Sequence, residues 1–168
     1  MTFKQKISAY ALGVFTESDL PGIAMTGLEE NYVSESLRIL AGFNSSENSF
    51  VLADYFKKAQ NELHLETKES KDALKDIIIF YTQNIVNKII DPYSGIERLH
   101  KIIGKTEFHF DDYGLMPCYT DYISIWEEKK DGLDFHTTEG LTKEQYIEKT
   151  EESIRIFLRE WLIENAGS

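Results

Sequence analysis

Apolar residues return every three to four positions from Phe3 to Leu162, and that period constrains this chain more than any other feature. Phe3, Ile7, Tyr10, Ala11, Val14 and Phe15 open the pattern, and Leu20, Ile23, Ala24 and Leu28 continue it. Leu37, Leu40 and Ala41 follow, then Phe50, Ala53, Phe56, Ala59 and Leu63. The strongest stripe lies between Lys71 and Ile90, where Ala73, Leu74, Ile77, Ile78, Tyr81, Ile85 and Ile89 share one helical face. Its β-branched run Ile77-Ile78-Ile79 also suits a buried strand, but a stripe this long belongs to a helix. Ile96, Leu99 and Ile103, then Tyr119, Tyr122, Ile123 and Trp126, then Ile147, Ile154, Phe157, Leu158, Trp161 and Leu162 complete the series. Ile78, Tyr81, Ile85 and Leu158 are expected to be deeply buried.

Punctuation between the stripes supports the same reading. Ser18 and Asp19 offer capping side chains, and Pro21 suits a first helical turn, where its missing N–H costs nothing. Asn31 and Gly42 are terminators, and Ser34 caps a helix start. Asn44-Ser45-Ser46 reads as a turn, and Asp91-Pro92 closes one helix and opens the next. Residues 105–118 read as irregular, with Gly114 and Pro117 as breakers, and residues 129–140 as a polar loop. Thr142 with Gln145 fits a capping box. The predicted fold is all-α, a compact bundle of about eight helices. At 168 residues it is expected to form a single domain, residues 1–168.

Composition narrows the function classes. One cysteine excludes a disulfide framework or a Cys-rich zinc site. The longest apolar run, Ile77 to Tyr81, is far below the ~20 residues of a membrane span. Lys4 and Lys6 precede apolar residues, but no small-residue cleavage site follows, so a cytoplasmic, soluble protein is expected. The net charge is −11, from 18 basic and 29 acidic residues. Residues 106–168 hold 15 acidic and 6 basic groups, net −9, so nearly all the imbalance sits there. No segment supplies the clustered Lys and Arg that replace counterions along phosphates, which disfavours a nucleic acid ligand. An acidic face instead steers a basic partner, or simply keeps the protein soluble.

The stretch Leu20-Pro21-Gly22-Ile23-Ala24, then Leu28-Glu29, then Ser34-Glu35-Ser36-Leu37-Arg38-Ile39-Leu40-Ala41-Gly42, carries an LPxxA…LE…SxSLRxLAG pattern. With Ile90-Asp91-Pro92-Tyr93-Ser94-Gly95-Ile96 it resembles a family of small bacterial helical proteins to which no reaction is assigned. The resemblance covers roughly the first 100 residues and implies a compact helical bacterial protein, without a catalytic residue or cofactor to carry over. Within the pattern, Arg38 alone has side-chain chemistry to spare, for an ion pair with Glu29, Glu30 or Glu35, for a cap on helix carbonyls, or for an anion or partner contact.

Two clusters mix histidine with carboxylates. In Phe108-His109-Phe110-Asp111-Asp112, His109, Asp111 and Asp112 are candidate ligands, but their alternation with phenylalanine equally makes an extended segment with one wet side. Asp131-Gly132-Leu133-Asp134-Phe135-His136 repeats the theme, without the Glu that closes a calcium loop. A metal-dependent hydrolase built on His109, Asp111, Asp112, Asp134 and His136 is one alternative; a housekeeping oligomer is another. The sequence itself favours no bound metal and no cofactor, since nucleotide and dinucleotide fingerprints are missing. Cys118 lacks a nucleophile's signature and reads as a small buried hydrophobe. Aromatics from Phe108 to Trp126 interleave with Glu107, Asp111, Asp112 and Asp121. The preferred reading is therefore a non-enzymatic, immunity-type interaction protein. Asp111, Asp112, Tyr113, Asp121 and Tyr122, with Arg38, are its expected contacts to a basic protein partner.

Overall fold

The computed structural model describes residues 1–65, 69–130 and 133–165, so Asp131 and Gly132 of the second cluster lie outside the described residues. Those described are all-α: eight helices of seven residues or more, one short helical turn and two 3-10 turns, with no strand among them. Among the described residues no helix is long and apolar enough to cross a membrane.

Contacts along the chain cluster into two units, 1–77 and 78–168, the division falling inside one helix. In the first unit, α1 (Phe3–Ala11) opens on a Thr2–Gln5 capping box. Helix α2 (Leu20–Glu29) follows a 3-10 turn whose Asp19 carboxylate accepts the Thr16 N–H at 2.8 Å. Pro21 lies in the first turn of α2, and Asn31 ends the segment in the left-handed region at φ 65°. Helix α3 (Glu35–Ala41) begins where the Ser34 hydroxyl accepts the Leu37 N–H, and α4 (Ser49–Glu62) begins on Asn48. Glu62 reaches back from α4 to accept both the N–H and the hydroxyl of Ser36, at 3.0 and 2.5 Å. The Ser36 hydroxyl and N–H hold that carboxyl below its ordinary pKa. Phe3, Ile7, Leu20, Ile23, Leu37, Leu40, Leu52 and Phe56 fill the core of this unit. Phe50, expected to point inward, is 84% exposed, because the inward stripe of α4 runs through Leu52, Phe56 and Ala59.

Helix α5 (Ser70–Val86) carries the strongest stripe, and Ile77, Ile78 and Ile85 are fully buried as expected. Tyr81 is only half-buried, because the most buried line is Ile78, Thr82, Ile85 and the phenol stands at its edge. In the second unit Asp91 caps α6 (Pro92–Ile103), accepting the Ser94 N–H at 2.8 Å. A 3-10 turn over Phe110–Tyr113 ends on Gly114 at φ 65° and leads into α7 (Met116–Lys129). Pro117 therefore starts a helix where a breaker was expected, since a first turn leaves its N–H position unpaired anyway. Within the expected polar loop Phe135–Thr138 form a short helix, α8, and α9 (Lys143–Asn165) follows the Thr142–Gln145 capping pair. Helices α6, α7 and α9 pack on one another, and α8 packs on α7 and α9.

Candidate functional site

Two features of the second unit bear on chemistry: an aromatic ladder along α6 and α7, and a carboxylate–histidine group where α7 meets α8. The ladder arises because α6 and α7 each turn one aromatic-rich stripe toward the other. Phe110 and Tyr119 stack at 4.4 Å between ring centres, Tyr119 and His100 at 5.4 Å, and Tyr93 lies against Tyr122 at 5.2 Å. Two lysines from the end of α7 cover its rims: Lys129 sits 3.7 Å above the Tyr93 ring and Lys130 4.0 Å above Trp126. A shallow groove of about 310 Å³ runs beside the ladder between Glu97, His100 and Lys101 of α6 and Tyr122, Ile123 and Trp126 of α7.

The residues singled out from sequence separate once placed. Asp111 and Asp112 are exposed, and Asp112 accepts the His109 N–H at 2.7 Å to close the 3-10 turn. Tyr113 is half-buried, and its carbonyl accepts the indole N–H of Trp161 at 2.7 Å. Asp121 is half-buried; burial raises its carboxyl pKa, partly offset by a hydrogen bond from the Ser153 side chain on α9. Tyr122 is only 4% exposed, so its ring is part of the ladder, not a free anchor, and its phenol pKa is pushed up to about 12, chiefly by burial. Arg38 is exposed in the last turn of α3, where a cation is favoured by the helix dipole.

The five-residue metal set also divides. His109, Asp111 and Asp112 stay at the 3-10 turn. Asp134 and His136 gather instead with Glu128, and the ligand atoms of these three lie within 4.8 Å of one another. Glu128 was missed from sequence. Its signal is an acid falling on the buried side of α7, three residues after Ile125, where an apolar residue is the usual occupant. His136 donates its backbone N–H to one Glu128 oxygen at 2.7 Å, and its Nδ1 lies 2.9 Å from the other. Burial alone would raise the Glu128 carboxyl; the His136 backbone and ring, with the charge of Lys143, more than offset it and hold the carboxyl below its ordinary value.

Cys118 is fully buried and donates its thiol to the Leu115 carbonyl at 3.0 Å. Burial, then the charge of Asp121, push its pKa up to about 12. Thiolate is the reactive species, so native protein at pH 8 is expected to resist alkylation by iodoacetamide and to react fully in denaturant. Rapid native labelling, counted by intact mass, would contradict this placement.

No protein-family model, curated protein or solved structure matches the chain.

Proposed function

We propose that the chain is a non-enzymatic bacterial binding protein whose C-terminal segment engages a basic protein partner. Its concrete form is an immunity-type antagonist that presents carboxylates to the phosphate-binding surface of a nuclease. The observation that carries this reading is the pairing of exposed acids with an exposed apolar side chain, Ile123, beside the aromatic ladder of the same unit. Asp111 and Asp112 are exposed, Asp112 while capping the 3-10 turn, and they flank Phe110, the buried end of the ladder, within a segment of net charge −9. Such carboxylates steer a cationic partner from a distance, and aromatic and apolar groups hold it once docked. Glu107, Glu144, Glu148, Glu160 and Glu164 are exposed in the same segment and extend the field. Ile123, exposed at the groove, supplies the anchor first assigned to Tyr122. Arg38 lies in the other unit and is a separate candidate contact.

The test is kinetic. With a basic partner captured from native lysate and immobilised, surface plasmon resonance is expected to show association slowing steeply from ~0.1 M to ~1 M salt, as screening falls from ~10 Å to ~3 Å. Asp111→Asn with Asp112→Asn should cut the association rate roughly tenfold and leave dissociation nearly unchanged. Ile123→Ala should do the reverse. Asp121→Asn, at a half-buried position held by the Ser153 side chain of α9, should leave association nearly unchanged. Association indifferent to salt and to the double neutralisation would reduce the acidic face to a solubility device.

A further inference from the structure

We infer that Glu128, Asp134 and His136 form a site for one divalent transition-metal ion, with Zn²⁺ the best match to their ligand types. The group mixes one imidazole with two carboxylates, the donor set that suits Zn²⁺ and its neighbours better than Mg²⁺ or Ca²⁺, which favour oxygen alone. Its atoms are already close. All three donors lie within 4.8 Å of one another, so small side-chain rotations bring each to the ~2.0–2.2 Å of Zn–N and Zn–O bonds. Nδ1 of His136 and the second Glu128 oxygen, at 2.9 Å, need to part by only a few tenths of an ångström to reach the roughly 3.3 Å between neighbouring ligands on a tetrahedral ion.

The surroundings fit as well. Glu128 is 1% exposed and is the one charged side chain in the buried class among the described residues. A buried carboxylate calls for a compensating cation. Here it is anchored by one oxygen, through the His136 N–H, which leaves the other oxygen aimed at the ring. Asp134 is exposed and closes the group from the solvent side, two residues before His136 on the approach to α8. On binding, the ion takes the place of the hydrogen between Nδ1 and the carboxylate, and the ring carries its proton on Nε2. The ion then ties the end of α7 to α8, which already packs on α9 through Phe135 and Tyr146, 6.2 Å apart. The site is independent of the acidic binding face.

The alternative is a hydrogen-bonded latch that takes no ion, and calorimetry separates the two. Full-length protein stripped with chelator and dialysed into chelator-free buffer is titrated with ZnCl₂ alone, with melting temperature followed in parallel. One ion per chain and a rise in melting temperature are expected, because a ligand of the native state stabilises it by mass action. Asp134→Asn removes an exposed ligand without disturbing the Glu128–His136 contacts and should weaken binding at least tenfold while leaving the melting temperature of the stripped protein unchanged. His109→Ala should bind as the parent does. No saturable binding, or affinity unchanged in Asp134→Asn, or equal loss in His109→Ala, would overturn the site.

Discussion

Leu158→Ala is expected to cost about 2–5 kcal/mol of stability, read as a shift of the urea midpoint at constant slope. Leu158 is fully buried in α9, between Ile154 and Trp161 on the same face. Truncation removes apolar contact and leaves a cavity, and the size of the loss depends on how far the walls can close. Here they are tethered. Trp161 is held by its indole bond to the Tyr113 carbonyl, and Arg155 reaches the Ile85 carbonyl on α5 at 3.4 Å. Collapse around the missing side chain is therefore resisted, and the upper half of the range is expected. Ile78→Ala on α5, also fully buried, should behave alike. Ile163→Ala is the control, since Ile163 is on the same helix but 78% exposed, and it should change stability by less than about 0.5 kcal/mol. A loss below about 1 kcal/mol for Leu158→Ala would mean that α9 does not present this face to the core.

The helices were legible because their period and their caps agree. Pro21, Asn31, Ser34, Asp91 and the Thr142–Gln145 pair each stand where their local chemistry puts them. The misreadings came where two signals compete. Phe50 continues a plausible stripe, yet the inward face of α4 enters at Leu52, two positions on, and Phe50 falls outside it. Tyr81 lost the central position to Thr82, whose hydroxyl is buried without a hydrogen-bond partner among the described residues. No pattern rule favours a threonine over a tyrosine there. The site was less legible still, because it depends on long-range placement. Asp134 and His136 are near neighbours in sequence and were visible. Glu128 belongs to a different helix, and only its burial marks it. The aromatic cluster from Phe108 to Trp126 was recognisable as a set, but which rings face one another and which face solvent depends on the α6–α7 packing. That packing moved Tyr122 inward and left Ile123 outside.

The close approach of α6 to the end of α5 makes Gly95→Ala destabilising by about 1–3 kcal/mol, although the substitution raises helix propensity. Inside an exposed helix the exchange is worth close to 1 kcal/mol in favour of alanine. Gly22 of α2 represents that case: a Cβ there meets nothing within 4 Å, and Gly22→Ala should stabilise. Gly95 of α6 is buried, and a Cβ there would sit 2.5 Å from both Cγ1 and Cδ1 of Ile85. Ile85 is itself fully buried and β-branched, so turning Cγ1 away about χ1 drives another part of the side chain into packed neighbours. The glycine is thus the residue that lets α6 come close against the end of α5, immediately after the Asp91-Pro92 junction. A double-mutant cycle isolates the clash. Ile85→Ala removes both offending atoms at its own cost of about 2–5 kcal/mol. In that background Gly95→Ala should turn neutral or stabilising, a coupling of about 1–3 kcal/mol between the two positions. Equal effects of Gly95→Ala in both backgrounds, measured by urea melts, would show that the two helices do not approach each other at Gly95 and Ile85.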